Sequence, residues 1–239
     1  MASPPQTKLE RWLERRLPGY RYGVVLVMLF TTYVFMASGP THVVARVVTV
    51  GLQGTTLLAT LVASRADRRL FRVAVVVVGV AFAAALVSAF VSTTTETTAV
   101  FFAMNVLLVG VCPLVIARAL LRRGLVDVHT VLGAICIYVL LGMIFAFLFA
   151  AIGLFEGTFF AQTQHATLPD FLYFSFVTQT TVGYGDLSAA GGLGRAIAAV
   201  EGMAGQLYLV TVVAVVVSQM RPRRTRPGSP QAPGEDEER

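Results

Sequence analysis

Six apolar segments, most of them near the length of a bilayer-spanning helix, run through the 239-residue chain. Crossing the hydrocarbon as helix takes about 20 apolar residues. The segments lie at approximately 23–38, 42–63, 72–92, 97–118, 128–153 and 194–218. Turn-forming or polar stretches separate them: Ser38-Gly39-Pro40-Thr41, Ser92 to Thr98, and Arg122-Arg123-Gly124. Charged residues make up only 13% of the chain against 56% hydrophobic, about half the charged share of a soluble domain. So apolar a chain has too little polar surface for water, and a bilayer is its natural solvent. The expected fold class is an all-α membrane protein with six transmembrane helices.

The basic residues set the orientation. When successive connections are assigned to alternate sides, 17 of the 19 Lys and Arg residues fall on one side, which the retention of basic loops makes cytoplasmic. Arg46 and Arg195 are left near the outer ends of segments two and six. Both termini are then cytoplasmic in a multi-pass protein of the plasma membrane, and residues 154–193 lie outside. Residues 1–22 form a polar lead with the spacing of a short amphipathic helix, suited to an anionic surface. The net charge of +6 is explained by these flanks, which would meet anionic lipid heads, and no nucleic-acid partner is inferred. The tail, 221–239, is rich in Pro and Arg, then acidic, and is expected to be disordered.

The stretch between segments five and six carries the chemistry. Thr167-Leu168-Pro169-Asp170 has the form of a helix start, with Thr167 as N-cap, Asp170 three residues on and Pro169 in the first turn. Phe171 to Gln179 continues a helix too short to span, so it would enter the membrane and return. Thr180-Thr181-Val182-Gly183-Tyr184-Gly185-Asp186 follows directly. A dehydrated potassium ion needs a cage of oxygens, which stacked rings of backbone carbonyls from several copies of such a segment can supply. Pointing successive carbonyls one way requires alternate residues in conformations that glycine reaches cheaply. Gly183 and Gly185 supply them. Thr181 would add a hydroxyl ring at the inner mouth, Val182 and Tyr184 would pack backward, and Asp186 would concentrate cations outside.

These residues resemble the pore-loop potassium channels, the superfamily built on two helices and a filter. The likeness covers roughly residues 128–220. From the filter onward the chain is similar to a small proton-activated bacterial channel of that family, with Gly194-Arg195 where its inner helix starts and Gly205 on its hinge glycine. The resemblance implies a homotetramer, each subunit with three identical partners. It implies potassium bound by Thr181, Val182, Gly183, Tyr184 and Gly185 as the only metal, without other cofactors. Thr180, Asp186, Tyr173, Phe174 and Val177 would support the filter, Tyr173 and Phe174 as an aromatic cuff. At Val177 that channel has a glutamate, so its style of filter inactivation does not carry over. Segment six would line the pore through Gln206, Leu209, Val213 and Val217, the two valines forming an apolar gate. Gly202 and Gly205 read as bending points or as sites of close helix packing. Glu201, the lone acid of that segment, would stay protonated, bond to the supporting helix, or titrate and regulate.

Four regions follow: the lead 1–22, a four-helix module 23–121, the pore domain 122–220 and the tail 221–239. Segment four carries no basic residue before Arg118, so gating charges of the voltage-sensing kind are not expected. Asn105 and Pro113 there suggest a helix contact and a kink. No phosphate loop, triad or metal-ligand spacing indicates an enzyme, and Cys112 and Cys136 read as buried free thiols. Two alternatives remain: a regulatory or sensor subunit whose pore seldom conducts, and a component of a potassium-uptake transporter.

Overall fold

The computed structural model describes residues 21–39, 43–64, 66, 68–90, 95–121 and 128–219. These form seven helices: α1 Arg21–Ala37, α2 Val43–Ala63, α3 Arg68–Phe90, α4 Thr95–Leu121, α5 Val128–Glu156, α6 Leu168–Gln179 and α7 Gly192–Gln219. Among the described residues strand pairing is limited to one antiparallel bridge, between Phe160 and Ala189. Four helices, α2 to α5, are long and apolar enough by length and composition to cross a membrane, and α1 is a shorter apolar helix. The chain is thus an all-α, multi-pass membrane protein. Most of residues 1–22, and all of the tail from 221, lie outside the described residues.

The long helices overrun the apolar segments that mark them. α3 starts at Arg68 and α5 continues to Glu156. Hydropathy reports the hydrocarbon thickness, whereas backbone hydrogen bonding carries a helix on into the polar flanks.

α5 is the central element. α4 packs along it, α1 lies against it and α2, and α6 and α7 cover its remaining side. α1 buries Tyr22, Val25, Leu29, Thr32 and Met36, a spacing of three and four that makes one stripe on a helix. α3 is peripheral. It buries alanines (Ala74, Ala81 and Ala85) and leaves Val73, Val76, Val80 and Val87 uncovered, as a helix does when lipid solvates its outer face. Hydroxyls buried on α1 and α2 are satisfied within their own helices: Thr32 donates to Met28 O at 2.8 Å and Thr60 to Thr56 O at 2.8 Å.

Asn105 is fully buried on α4 and donates Nδ2 to Phe101 O at 2.6 Å. The expected helix contact is therefore a bond within its own helix. Pro113 lies inside α4, and the Arg46 guanidinium of α2 sits 5.5 Å from the centre of the Phe101 ring, a cation–π geometry. The module also touches the short helix: the Tyr33 ring of α1 meets Phe176 of α6 edge-on at 4.8 Å.

Candidate functional site

The site starts with α6. Twelve residues make it about 18 Å long, too short to cross a bilayer. Thr167 caps it: Asp170 Oδ2 accepts from Thr167 N at 2.7 Å and from Thr167 Oγ1 at 2.7 Å, and Pro169 occupies the first turn, where no N–H is required. The helix wedges between α5 and α7, with Phe171, Leu172, Phe174, Ser175 and Gln179 buried.

The last carbonyls of α6 receive the amides of the segment that follows. Thr180 N donates to Phe176 O at 3.0 Å and Thr181 N to Thr178 O at 3.0 Å. Val177 O accepts twice, from Val182 N at 3.0 Å and Gly183 N at 3.3 Å. A planar trans peptide holds its N–H and C=O in opposite directions. With the amides of Val182 and Gly183 drawn back onto Val177, the carbonyls of Thr181 and Val182 point to the open side. Val177 thus meets the segment through its backbone oxygen.

Positive φ alternates along this segment: 59° at Thr181, 55° at Gly183 and 79° at Gly185. The glycines are where the carbonyl argument places them. Thr181 has no glycine's freedom and is the only non-glycine residue with positive φ among those described. It carries backbone strain that its ties offset: its amide bond to Thr178, its hydroxyl to Thr180 O at 2.7 Å, and the Gln206 amide donating to that hydroxyl at 3.2 Å.

At the C-terminal end of the segment Tyr173 donates its hydroxyl to Asp186 Oδ2 at 2.7 Å, and its ring lies parallel to Tyr184 within 2°, centres 6.4 Å apart. Phe174 takes a different place. It is buried among Phe149, Phe159 and Phe160 at 5.2–5.8 Å, on the side of α5 and the loop that follows it. Of the two aromatics expected as a cuff, Tyr173 is the one the chain places beside Asp186 and Tyr184. Val182 and Tyr184 are 52% and 72% exposed, so the chain's own helix does not cover the side chains expected to pack backward. In a conducting channel, Tyr173→Phe should leave the protein folded and lower the ratio of potassium to sodium flux several-fold, measured in liposomes, because the C-terminal end of the segment loses its tie to α6.

Beyond the segment, Gln162 and Ser188 exchange two hydrogen bonds, Nε2 to Oγ at 2.8 Å and amide to Oε1 at 2.9 Å. Arg195 Nε donates to Ala189 O at 2.9 Å. These contacts fix the return of the chain into α7, starting at Gly192.

On α7, Gln206 and Leu209 are exposed, with Gln206 at the N-terminal end of the segment through its Thr181 contact. The side chains of Val213 and Val217, the expected gate, lie outside those described. Gly205 abuts α6: a Cβ there would lie 2.6 Å from Gln179 O. Gly202 has ordinary spacing, 3.7 Å from Thr178 O. Glu201 is fully buried and sits 2.5 Å from Ser175 Oγ on α6.

Sequence reasoning passed over the groups that bind this layer together. Gln179 is fully buried; its Nε2 donates to Tyr138 O at 2.8 Å and its carbonyl accepts from Tyr138 Oη at 3.3 Å. Tyr208 Oη donates to Ala134 O at 2.7 Å. A long polar side chain closing a short, largely apolar helix was the available signal for Gln179. Tyr138 and Tyr208 carried none, since tyrosine is common in apolar helices.

Residues 133–221 match the ion channel family. A curated relative, the potassium voltage-gated channel subfamily A member 5 of Mustela putorius furo, is 34% identical over 84 residues, which is 33% of this chain and 14% of the relative. The chain thus spans about a seventh of that relative's length. No solved structure gives a significant match. The ion channel match takes in most of α5, all of α6, the T-T-V-G-Y-G-D segment and α7, and over these residues the chain is similar to the pore-loop potassium channels.

Proposed function

We propose that this chain is one subunit of a homotetrameric, potassium-selective channel that passes ions passively across the plasma membrane. One observation carries the reading: positive φ at Thr181, Gly183 and Gly185, with the amides of Val182 and Gly183 turned back onto Val177. That backbone faces successive carbonyls to one side, where they can replace the hydration shell of an alkali cation. One strand supplies a quarter of a ring, hence four subunits. The exposure of the segment in a single chain supports this, as do Met203, Leu207 and Val210 left uncovered along α7.

In this reading α1 and α7 complete six crossings, α6 is re-entrant and both termini are cytoplasmic. The basic flanks rest on anionic lipid heads. Gln206 and Leu209 line the cavity below the filter, with Val213 and Val217 at the gate. α4, whose last turn holds Arg118 as its only basic residue, braces α5 and does not move charge through the field.

Flux through the purified protein in liposomes tests the proposal. Potassium and rubidium gradients should drive fast uptake, with sodium far slower. Equal potassium and sodium flux would remove the selectivity claim, and a silent protein would remove the channel claim.

A further inference from the structure

The Ser175 hydroxyl has two short contacts and one proton. Its Oγ lies 2.7 Å from Gly142 O on α5 and 2.5 Å from Glu201 Oε1 on α7. All three groups are at the centre of the subunit, Ser175 and Glu201 fully buried. The Gly142 carbonyl accepts and never donates, so that contact uses the serine proton. The Glu201 contact must then be bridged by a proton from the carboxyl. The opposite arrangement, with an ionised Glu201 taking the serine proton, would set two lone-pair oxygens against each other at the Gly142 side. It would also bury a charge without a partner in a membrane protein.

Among the described residues no basic group contacts Glu201 to neutralise such a charge. Glu201 Oε2 has no hydrogen-bond partner, and the only basic residue of α7 is Arg195, whose Nε is engaged with Ala189 O at 2.9 Å. As a neutral acid Glu201 leaves only a carbonyl-type oxygen unpaired, a far smaller penalty than a bare carboxylate.

We propose that Glu201 is a protonated carboxylic acid and the first link of a staple, Glu201 to Ser175 to Gly142, that fixes α7, α6 and α5 to one another and so positions the helix bearing the filter. The proposal rests on the filter reading for its functional consequence, though the proton assignment is independent of it. Ser175 lies two residues before Val177, whose carbonyl holds the Val182 and Gly183 amides, so a shift of α6 at Ser175 reaches the filter directly. Glu201 is a positioning residue, acting through Ser175.

The experiment has two arms, both on the full chain in lipid. In the first, isotope-edited infrared spectra at neutral pH are compared between wild type and Glu201→Gln. A protonated-carboxyl stretch present in wild type and missing in the variant is expected; loss of a carboxylate band instead overturns the proton assignment, whether or not the protein conducts. In the second, rubidium flux and the potassium-to-sodium ratio are measured. Glu201→Gln, whose amide can donate to Ser175 Oγ, should behave like wild type. Glu201→Leu, similar in size but without a donor, and Ser175→Ala should each lose most of the selectivity. Wild-type selectivity in Ser175→Ala, the milder change and the safer one for folding, overturns the positioning role. A silent wild type whose infrared band is present refutes the channel reading and leaves the proton assignment standing.

Discussion

Gly183→Ala should abolish potassium-selective flux, and Gly157→Ala should leave it intact. Both glycines sit at positive φ, 55° and 81°, and at both an added Cβ finds nothing within 4 Å. Alanine therefore meets no steric obstacle at either position. It meets the conformational cost of the left-handed region, about 1–2 kcal/mol per residue. At Gly157, beyond the end of α5, a small backbone adjustment relieves that cost. At Gly183 the same adjustment rotates the peptide whose amide is tied to Val177 O, and the adjoining carbonyl turns away from the ion path. Four subunits would carry the change together, roughly 4–8 kcal/mol in all by the same per-residue figure. Uptake of rubidium and sodium into liposomes decides the matter. Selective flux through Gly183→Ala, or equal loss in Gly157→Ala, would defeat the assignment of these carbonyls to the ion path.

The legible parts of this chain were the local ones. The Thr167–Asp170 cap spans three residues and acts through adjacent backbone, so its residue types announce it, and the structure has both bonds. Gly183 and Gly185 were legible because positive φ has a preferred residue. The positive φ of Thr181 was not, since a β-branched residue is disfavoured there and ties to Thr178, Thr180 and Gln206 hold it. Glu201 could be flagged as an acid alone in an apolar helix, but Ser175 lies 26 residues away and no local pattern pairs them. Helix faces were equally hidden along α5, which is apolar nearly all round, so sequence gave no stripe to say that α4 and α1 would dock there. The single bridge between Phe160 and Ala189 was invisible for the opposite reason: it is too short for any alternation to build up.

Gly205→Ala separates the two reasons a glycine can stand in a pore-lining helix. If Gly205 were only a bending point, alanine would strengthen the helix by up to about 1 kcal/mol; the protein would melt at a higher temperature with altered opening. The structure predicts the reverse. An alanine Cβ would sit 2.6 Å from the Gln179 backbone oxygen and 2.9 Å from Gln179 Cγ, closer than carbon approaches either atom. Gln179 cannot yield easily, because its side chain donates to Tyr138 O and its carbonyl accepts from Tyr138 Oη. Relief must come from α7 moving off the end of α6, which also draws Gln206 from Thr181. Gly205→Ala should therefore melt at a lower temperature in detergent and lose most of its flux. Gly202→Ala, with 3.7 Å to Thr178 O, should match or slightly exceed wild type in stability and still conduct. A stabilised Gly205→Ala would move the weight to bending. A destabilised one would assign this glycine to the contact that seats the inner helix against the filter's support.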